Sequence, residues 1–263
     1  MKNDKLPCVD FCGLNVSRLI LGANPFGGFS HQNPKRDAAM REYYTVERIL
    51  ETWERAEAAG INTMITNNET ATVVESVRRY FSNGGSMQWI AQVNCRTNPD
   101  MRSAIDQAVQ MGCKGMYVHG LLTDSLYEKQ DENTLKEWVN MAHDQGIPIG
   151  VAGHTPKVHY WVDSLELVDF HAVCFFNCGS VHDDKGERFQ LTDLPPAVQC
   201  VQTIQKPCIG YKIMGAGRLD PKMAFEHAFE NIKPHDVVNV GMFRGDNDSM
   251  VEENAALVRE ILS

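Results

Sequence analysis

The segment from Cys113 to Thr155 sets the terms for the rest of the chain. Residues 114–118 form a short, β-rich apolar run that ends at His119-Gly120, and residues 147–152 form a second run that leads into Gly153-His154-Thr155. Between them, 132–145 has helical spacing, with Leu135, Trp138, Val139 and Ala142 on one face. Gly146 follows, and a glycine at that point stops a helix because it tolerates positive φ. Two parallel strands joined by a helix make a right-handed crossover, so both strand ends lie on the same side of the sheet. His119 and His154 are therefore predicted to be neighbours on one rim.

The same alternation runs through the whole sequence. Apolar strand-like runs are predicted at 17–22, 61–66, 87–93, 170–176, 207–212 and 237–242, with helices at 45–59, 72–81, 98–111, 157–167, 197–205, 221–232 and 249–262. With the central unit this makes eight strand–helix pairs and no linker between them. The 263 residues match the roughly 250 of a (β/α)8 TIM barrel. The predicted architecture is one α/β barrel domain over 1–263, with a β-hairpin at 6–16 closing its bottom. A dinucleotide-binding open sheet would need a G-x-G-x-x-G turn after an early strand, which the sequence lacks.

Composition narrows the partners. A net charge of −9 argues against nucleic acid or an anionic membrane surface, and no apolar run approaches the roughly 18 residues of a bilayer span. Residues 1–5 are charged with no apolar stretch behind them, so no signal peptide is expected. The eight cysteines form no C-x-x-C pair and are expected to be reduced thiols in a cytoplasmic protein. The expected partner is a small-molecule substrate. Oligomeric state is not readable from these features.

Several short motifs, taken in order, carry a resemblance. The predicted hairpin runs into Val16-Ser17-Arg18-Leu19-Ile20-Leu21-Gly22 and then Phe26-Gly27. Gly60-Ile61-Asn62 opens the second strand, His119-Gly120 closes the fourth, and Ile149-Gly150-Val151 lies in the fifth. Asn177 ends the sixth, Lys212 precedes Gly215-Ala216-Gly217-Arg218-Leu219, and Glu253-Asn254 come late. In this layout the chain resembles the aldo-keto reductase superfamily over nearly its whole length. The resemblance implies a barrel fold and, in ordinary members, hydride transfer from NADP(H) by a tyrosine, lysine, aspartate and histidine. Here His119 alone matches. Ile65-Thr66-Asn67 stands where the family places Asp-Thr-Ala, no tyrosine follows, and Gln92 stands at the lysine position. On the cofactor side, Ala152-Gly153 replaces Ser-Asn, Val173 lies near the glutamine position, and Asp246 and Asp248 would repel a phosphate. The resemblance thus implies the family's fold with its redox set lost, and NADP(H) is not expected to bind.

Barrel sites are built at the C-terminal ends of the strands. The candidates there are Asn24, His31, Asn67, Asn68, Glu69, Gln92, Asn94, Cys95, Arg96, His119, His154, Asn177, Cys178, Lys212, Arg218 and Arg244. Such amides, imidazoles and cations suit a hydroxylated or carboxylated small molecule. Asn24, Asn67, Gln92, Asn94, Asn177 and Arg218 are expected to bind it, and His119, His154, Lys212 and Glu69 to act on it. His119, His154 and Glu69 offer a site for a divalent metal; equally, the two imidazoles work without one as acid and base, or only bond backbone carbonyls. Lys212 is read as a partner for an anionic group or as an amine nucleophile. Gly215, Gly217 and Arg218 suggest a phosphate or carboxylate cradle; the alternative is glycines that simply serve the turn. Residues 180–192 are polar enough to be a lid or a plain solvated connection. The expected activity is proton transfer on a carbonyl or sugar-like compound, as in a lyase, isomerase or epimerase. The alternatives are a divergent NADP(H)-dependent reductase and a non-catalytic barrel that binds a metabolite or protein.

Overall fold

In the computed structural model, which describes residues 6–179 and 188–263, the sequence opens with an antiparallel hairpin. Strands β1 (Cys8–Phe11) and β2 (Leu14–Ser17) are joined by Cys12 and Gly13, both at positive φ, the two-residue turn whose twist matches a hairpin. Eight parallel strands then close a ring: β3 (Leu19–Gly22), β4 (Thr63–Asn67), β5 (Gln88–Val93), β6 (Gly115–Val118), β7 (Ile149–Gly153), β8 (Phe170–Cys174), β9 (Cys208–Tyr211) and β10 (Val237–Gly241), with β10 paired to β3. Each strand is buried on both faces, which is why it reads as a continuous apolar run rather than an alternating one. The predicted (β/α)8 barrel with an N-terminal hairpin is the observed fold.

The helices are α1 (Asn24–Gly27), α2 (Pro34–Tyr43), α3 (Val46–Ala58), α4 (Ala71–Ser82), α5 (Met101–Gln110), α6 (Gly120–Lys129), α7 (Glu132–His143), α8 (Pro156–Ser164), α9 (Leu194–Thr203), α10 (Pro221–Asn231) and α11 (Met250–Ile261). Side chains of Asn33, Thr45, Asp100, Asp131 and Asp220 accept backbone N–H groups at the starts of α2, α3, α5, α7 and α10. Gly60 and Gly146 follow α3 and α7 at positive φ, as their positions after helical runs predict.

Two packed regions hold the barrel. Outside the ring, side chains such as Leu21, Trp53, Trp89, Met116 and Val151 fill the space between strands and helices. Inside it, Phe11 and Val16 of the hairpin join Ile20, Ile65, Ile90, Tyr117, Phe170, Ile209 and Val237. Phe11 meets Phe170 edge-on at 5.1 Å. The hairpin therefore plugs the end opposite the strand C-termini, and the open mouth is left at the other end.

Besides the single turn α1, two helices fall where the pattern predicts none. Helix α2 buries only Met40, and α6 buries Gly120, Thr123 and Leu126. Both lie along the rim instead of packing a stripe onto the sheet, so neither carries the i, i+3, i+4 apolar signature.

Candidate active site

Strand register brings the first set of site residues together. Asn67, Gln92 and Tyr117 are successive partners across β4, β5 and β6, and Tyr211 faces Asn239 across β9 and β10. All five line the mouth. Asn67 uses Oδ1 to accept the N–H groups of Glu69 and Thr70, at 3.1 and 2.8 Å, which orients its amide. Tyr211 donates its hydroxyl to the Gly153 carbonyl at 3.0 Å. Burial pushes the hydroxyls of Tyr117 and Tyr211 upward in pKa, so both stay protonated near neutrality.

The histidines are placed by α6. His119 is its N-cap, and ring Nδ1 accepts the Leu121 N–H at 3.2 Å. In the neutral ring the proton must then sit on Nε2, so that edge is a donor. His154 follows β7, and Asp124 of α6 grips it twice. Asp124 Oδ1 accepts the His154 backbone N–H at 3.2 Å, while Oδ2 lies 2.6 Å from ring Nδ1. A carboxylate there favours the proton on Nδ1 and leaves Nε2 as a base. Gly120 allows this packing. A methyl group at position 120 would lie 2.9 Å from His154 Cε1 and 3.2 Å from Nδ1. Gly120→Ala is therefore expected to displace the imidazole and slow any chemistry it performs roughly 10²-fold. Changed His154 ring shifts in the variant's NMR spectrum, with its circular dichroism unaltered, would confirm the displacement.

His119, His154, Glu69 and Lys212 line one small lobe of about 90 Å³. The convergence predicted from distant strand ends is thus present. Lys212 holds a left-handed backbone at φ 55°, and its ammonium lies 5.7 Å from the Tyr211 ring centroid. A larger lobe of about 300 Å³ opens beside the first and shares Asn24, His31, Asn67, Gln92, Tyr211 and Lys212 with it.

Other expected site residues are placed elsewhere. Asn94 is buried, accepting the Arg96 N–H at 3.0 Å, and Asn177 is tied to Asp193, Gly179 and Arg188. Arg218 donates to the carbonyls of Gly215 and His31, at 2.8 and 2.9 Å, and so fastens two rim loops together. None of the three, nor Cys95, Cys178 or Arg244, lines either lobe. Arg244 is buried against Glu51 and Asp248, 2.7 Å from each. The glycine loop is no anion cradle either. The amides of Gly215, Gly217, Arg218 and Leu219 turn inward to the carbonyls of Lys212 and Met214. Two members of the expected metal set have protein partners: Glu69 lies 3.6 Å from Arg96, and His154 Nδ1 faces Asp124. Among the described residues no group of three or more His, Cys, Asp or Glu is arranged to hold a metal ion. Of the segment read as a lid, 180–187 lies outside the described residues; Arg188 pairs with Asp193, and Phe189 packs on Phe176 at 5.2 Å.

Asp124, Tyr117, Tyr211 and Asn239 are the site residues the sequence reading missed. Tyr117 was two residues before His119 on an inward face of β6, a period-of-two signal that was available. Asp124 carries no such signal, because α6 has no apolar stripe to mark it as a helix.

No family model matches the sequence, and no curated protein matches it. Solved structures do. Two from Pseudomonas aeruginosa, provisionally named aldo-keto reductases, superpose with TM-scores of 0.68 and 0.66 at 18% and 17% identity. They cover 100% and 98% of this chain and 100% and 94% of their own. The chain shares its fold with aldo-keto reductases. More distant barrels include an orotidine 5′-monophosphate decarboxylase from Methanocaldococcus jannaschii (TM-score 0.56, 13% identity, 95% of this chain and 100% of that one). An N-acetylmannosamine-6-phosphate 2-epimerase from Clostridium perfringens reaches 0.57 at 12% identity, covering 88% and 90%. Among the described residues no helix is long and apolar enough to cross a membrane.

Proposed function

We propose that this protein is an enzyme that moves a proton on a small carbonyl or sugar-like compound, in a lyase, isomerase or epimerase type of reaction. The observation that carries the reading is the His154–Asp124 pair, 2.6 Å apart, beside His119 in one lobe. His154 Nε2 takes a proton from the carbon next to the carbonyl. Negative charge then grows on the carbonyl oxygen, where the His119 Nε2–H and the Lys212 ammonium stabilise it. The proton returns from His154 to a carbon or oxygen of the same intermediate. Protein groups supply the polarisation that a divalent metal would otherwise give, which suits a lobe where Glu69 and His154 already have partners.

The test is exchange of substrate hydrogen. Small 2-oxo acids, hydroxyketones and sugars are incubated with the protein in D2O and followed by proton NMR. Exchange next to the carbonyl with the wild type, lost in His154→Ala, supports the reading. Exchange that persists in His154→Ala, or its absence with every compound class, overturns it.

A second reading, an NADP(H)-dependent reductase, draws support from the shared fold. The residues present fit the family's cofactor set poorly. Ile65 and Gln92 occupy the aspartate and lysine positions, and Arg36 of α2 and Arg244 beyond β10 are already paired with Asp246, Glu51 and Asp248. Tyr117 or Tyr211 would have to serve as the acid. Titration with NADPH, followed by nicotinamide fluorescence, separates the two readings.

A further inference from the structure

The two lobes share Tyr211, Lys212 and Asn239, so they form one chamber with a narrow end and a wide end. The narrow end, about 90 Å³, holds the imidazoles and has room only for a reacting head of few atoms. The wide end, about 300 Å³, has a different chemistry. Met40, Met214, Leu219, Phe243 and Met250 form much of its wall, and methionines adapt to irregular apolar shapes. Several polar groups on the side of this wall are committed to the protein. Gln32 donates to the Ala216 carbonyl at 2.8 Å, and the loop amides at 215 and 217–219 face inward. Arg36 pairs with Asp246 and lies over the Phe243 ring, 4.9 Å from its centroid, so its charge is balanced at the rim. A phosphate placed at that rim would meet the Asp246 carboxylate.

From this division we infer that the substrate is a carbonyl compound with an anionic group beside the carbonyl and an apolar tail, a longer or aromatic 2-oxo acid. The carbonyl and carboxylate sit at the narrow end, within reach of His119 and Lys212. The tail runs past Tyr211 into the wide end. The inference rests on the proton-transfer reading for the head and adds the tail and the charge.

The experiment measures binding of pyruvate, 2-oxooctanoate and phenylpyruvate by calorimetry, and hydrogen exchange of each by NMR in D2O. The two long compounds are expected to bind at least about tenfold tighter than pyruvate, since each buried methylene favours binding severalfold. Met250→Trp, at a position that lines the wide end and not the narrow one, should abolish that preference by weakening the two long compounds far more than pyruvate. Circular dichroism and a cooperative melt confirm that the variant is folded. Equal binding of all three compounds, no binding of any, or a preference untouched by Met250→Trp overturns the inference. The exchange readout is separate. A tail preference without exchange upholds the chamber's substrate class and overturns the proton-transfer reading. Exchange without a tail preference does the reverse.

Discussion

Asp124→Asn is expected to leave the fold intact and to slow proton transfer by roughly 10²–10⁴-fold. The reason is a tautomer. In the native pair, Asp124 Oδ1 accepts a main-chain N–H and Oδ2 faces the ring nitrogen Nδ1. The isosteric amide must keep its oxygen toward the main chain, which leaves its NH2 group toward the ring. That group donates to Nδ1, and the ring proton moves to Nε2. His154 then presents a donor to the lobe where a base is needed. His154→Ala should be as damaging, and the double variant no worse than either single one, because the two groups act as a unit. Hydrogen-exchange rates give the kinetic effect, and imidazole ¹⁵N shifts report the tautomer directly. A variant with the native tautomer and the native rate would reduce Asp124 to a structural tie between α6 and the His154 main chain.

The sequence made some of this legible for a physical reason. A strand covered on both faces must be apolar throughout, so 147–152 could be read without a structure, and a helix that packs on the sheet must show a stripe, so 132–145 could be read too. The rim obeys neither rule. Helix α6 lies at the mouth and packs few apolar side chains, so its sequence carries little periodic signal, and Asp124 was hidden with it. Placing His119 and His154 at one mouth required only topology. Learning which nitrogen of each ring holds the proton required the Leu121 N–H and the Asp124 carboxylate, contacts set by loop geometry. The 215–217 loop shows the opposite failure. Its glycines look like an anion cradle, yet whether backbone amides point outward or inward is not encoded in composition, and here they turn inward.

Acid is expected to destabilise the protein through two histidines that do no chemistry. His159 of α8 and His171 of β8 are fully buried, with their Nδ1 atoms 3.2 Å apart. Only one of two neutral rings can donate in such a contact, and a proton added to both would put two cations in the core. Burial lowers His159 to about 4, and burial with repulsion from His159, Lys206 and Lys233 carries His171 well below the ordinary range. Asp163 lies 3.5 Å from His171 Nε2, outside a good hydrogen bond, and offsets little of this. The sign follows from proton counting. Below about pH 6.5 the unfolded chain binds protons at both sites and the folded protein does not, so stability is full above that pH and falls as the pH drops toward 4. His159 alone accounts for roughly 3 kcal/mol at the lower end. His159→Phe should cost about 1–3 kcal/mol at pH 7, by leaving His171 without its partner, and should flatten the decline below pH 6.5. Denaturant unfolding of both proteins from pH 7 to pH 4 measures the difference, and parallel curves would exclude the pair as the acid-sensitive element. The Gly153 carbonyl that lies 3.4 Å from His159 Nε2 also accepts the Tyr211 hydroxyl, so the buried pair and the mouth share one acceptor at the end of β7, just before His154.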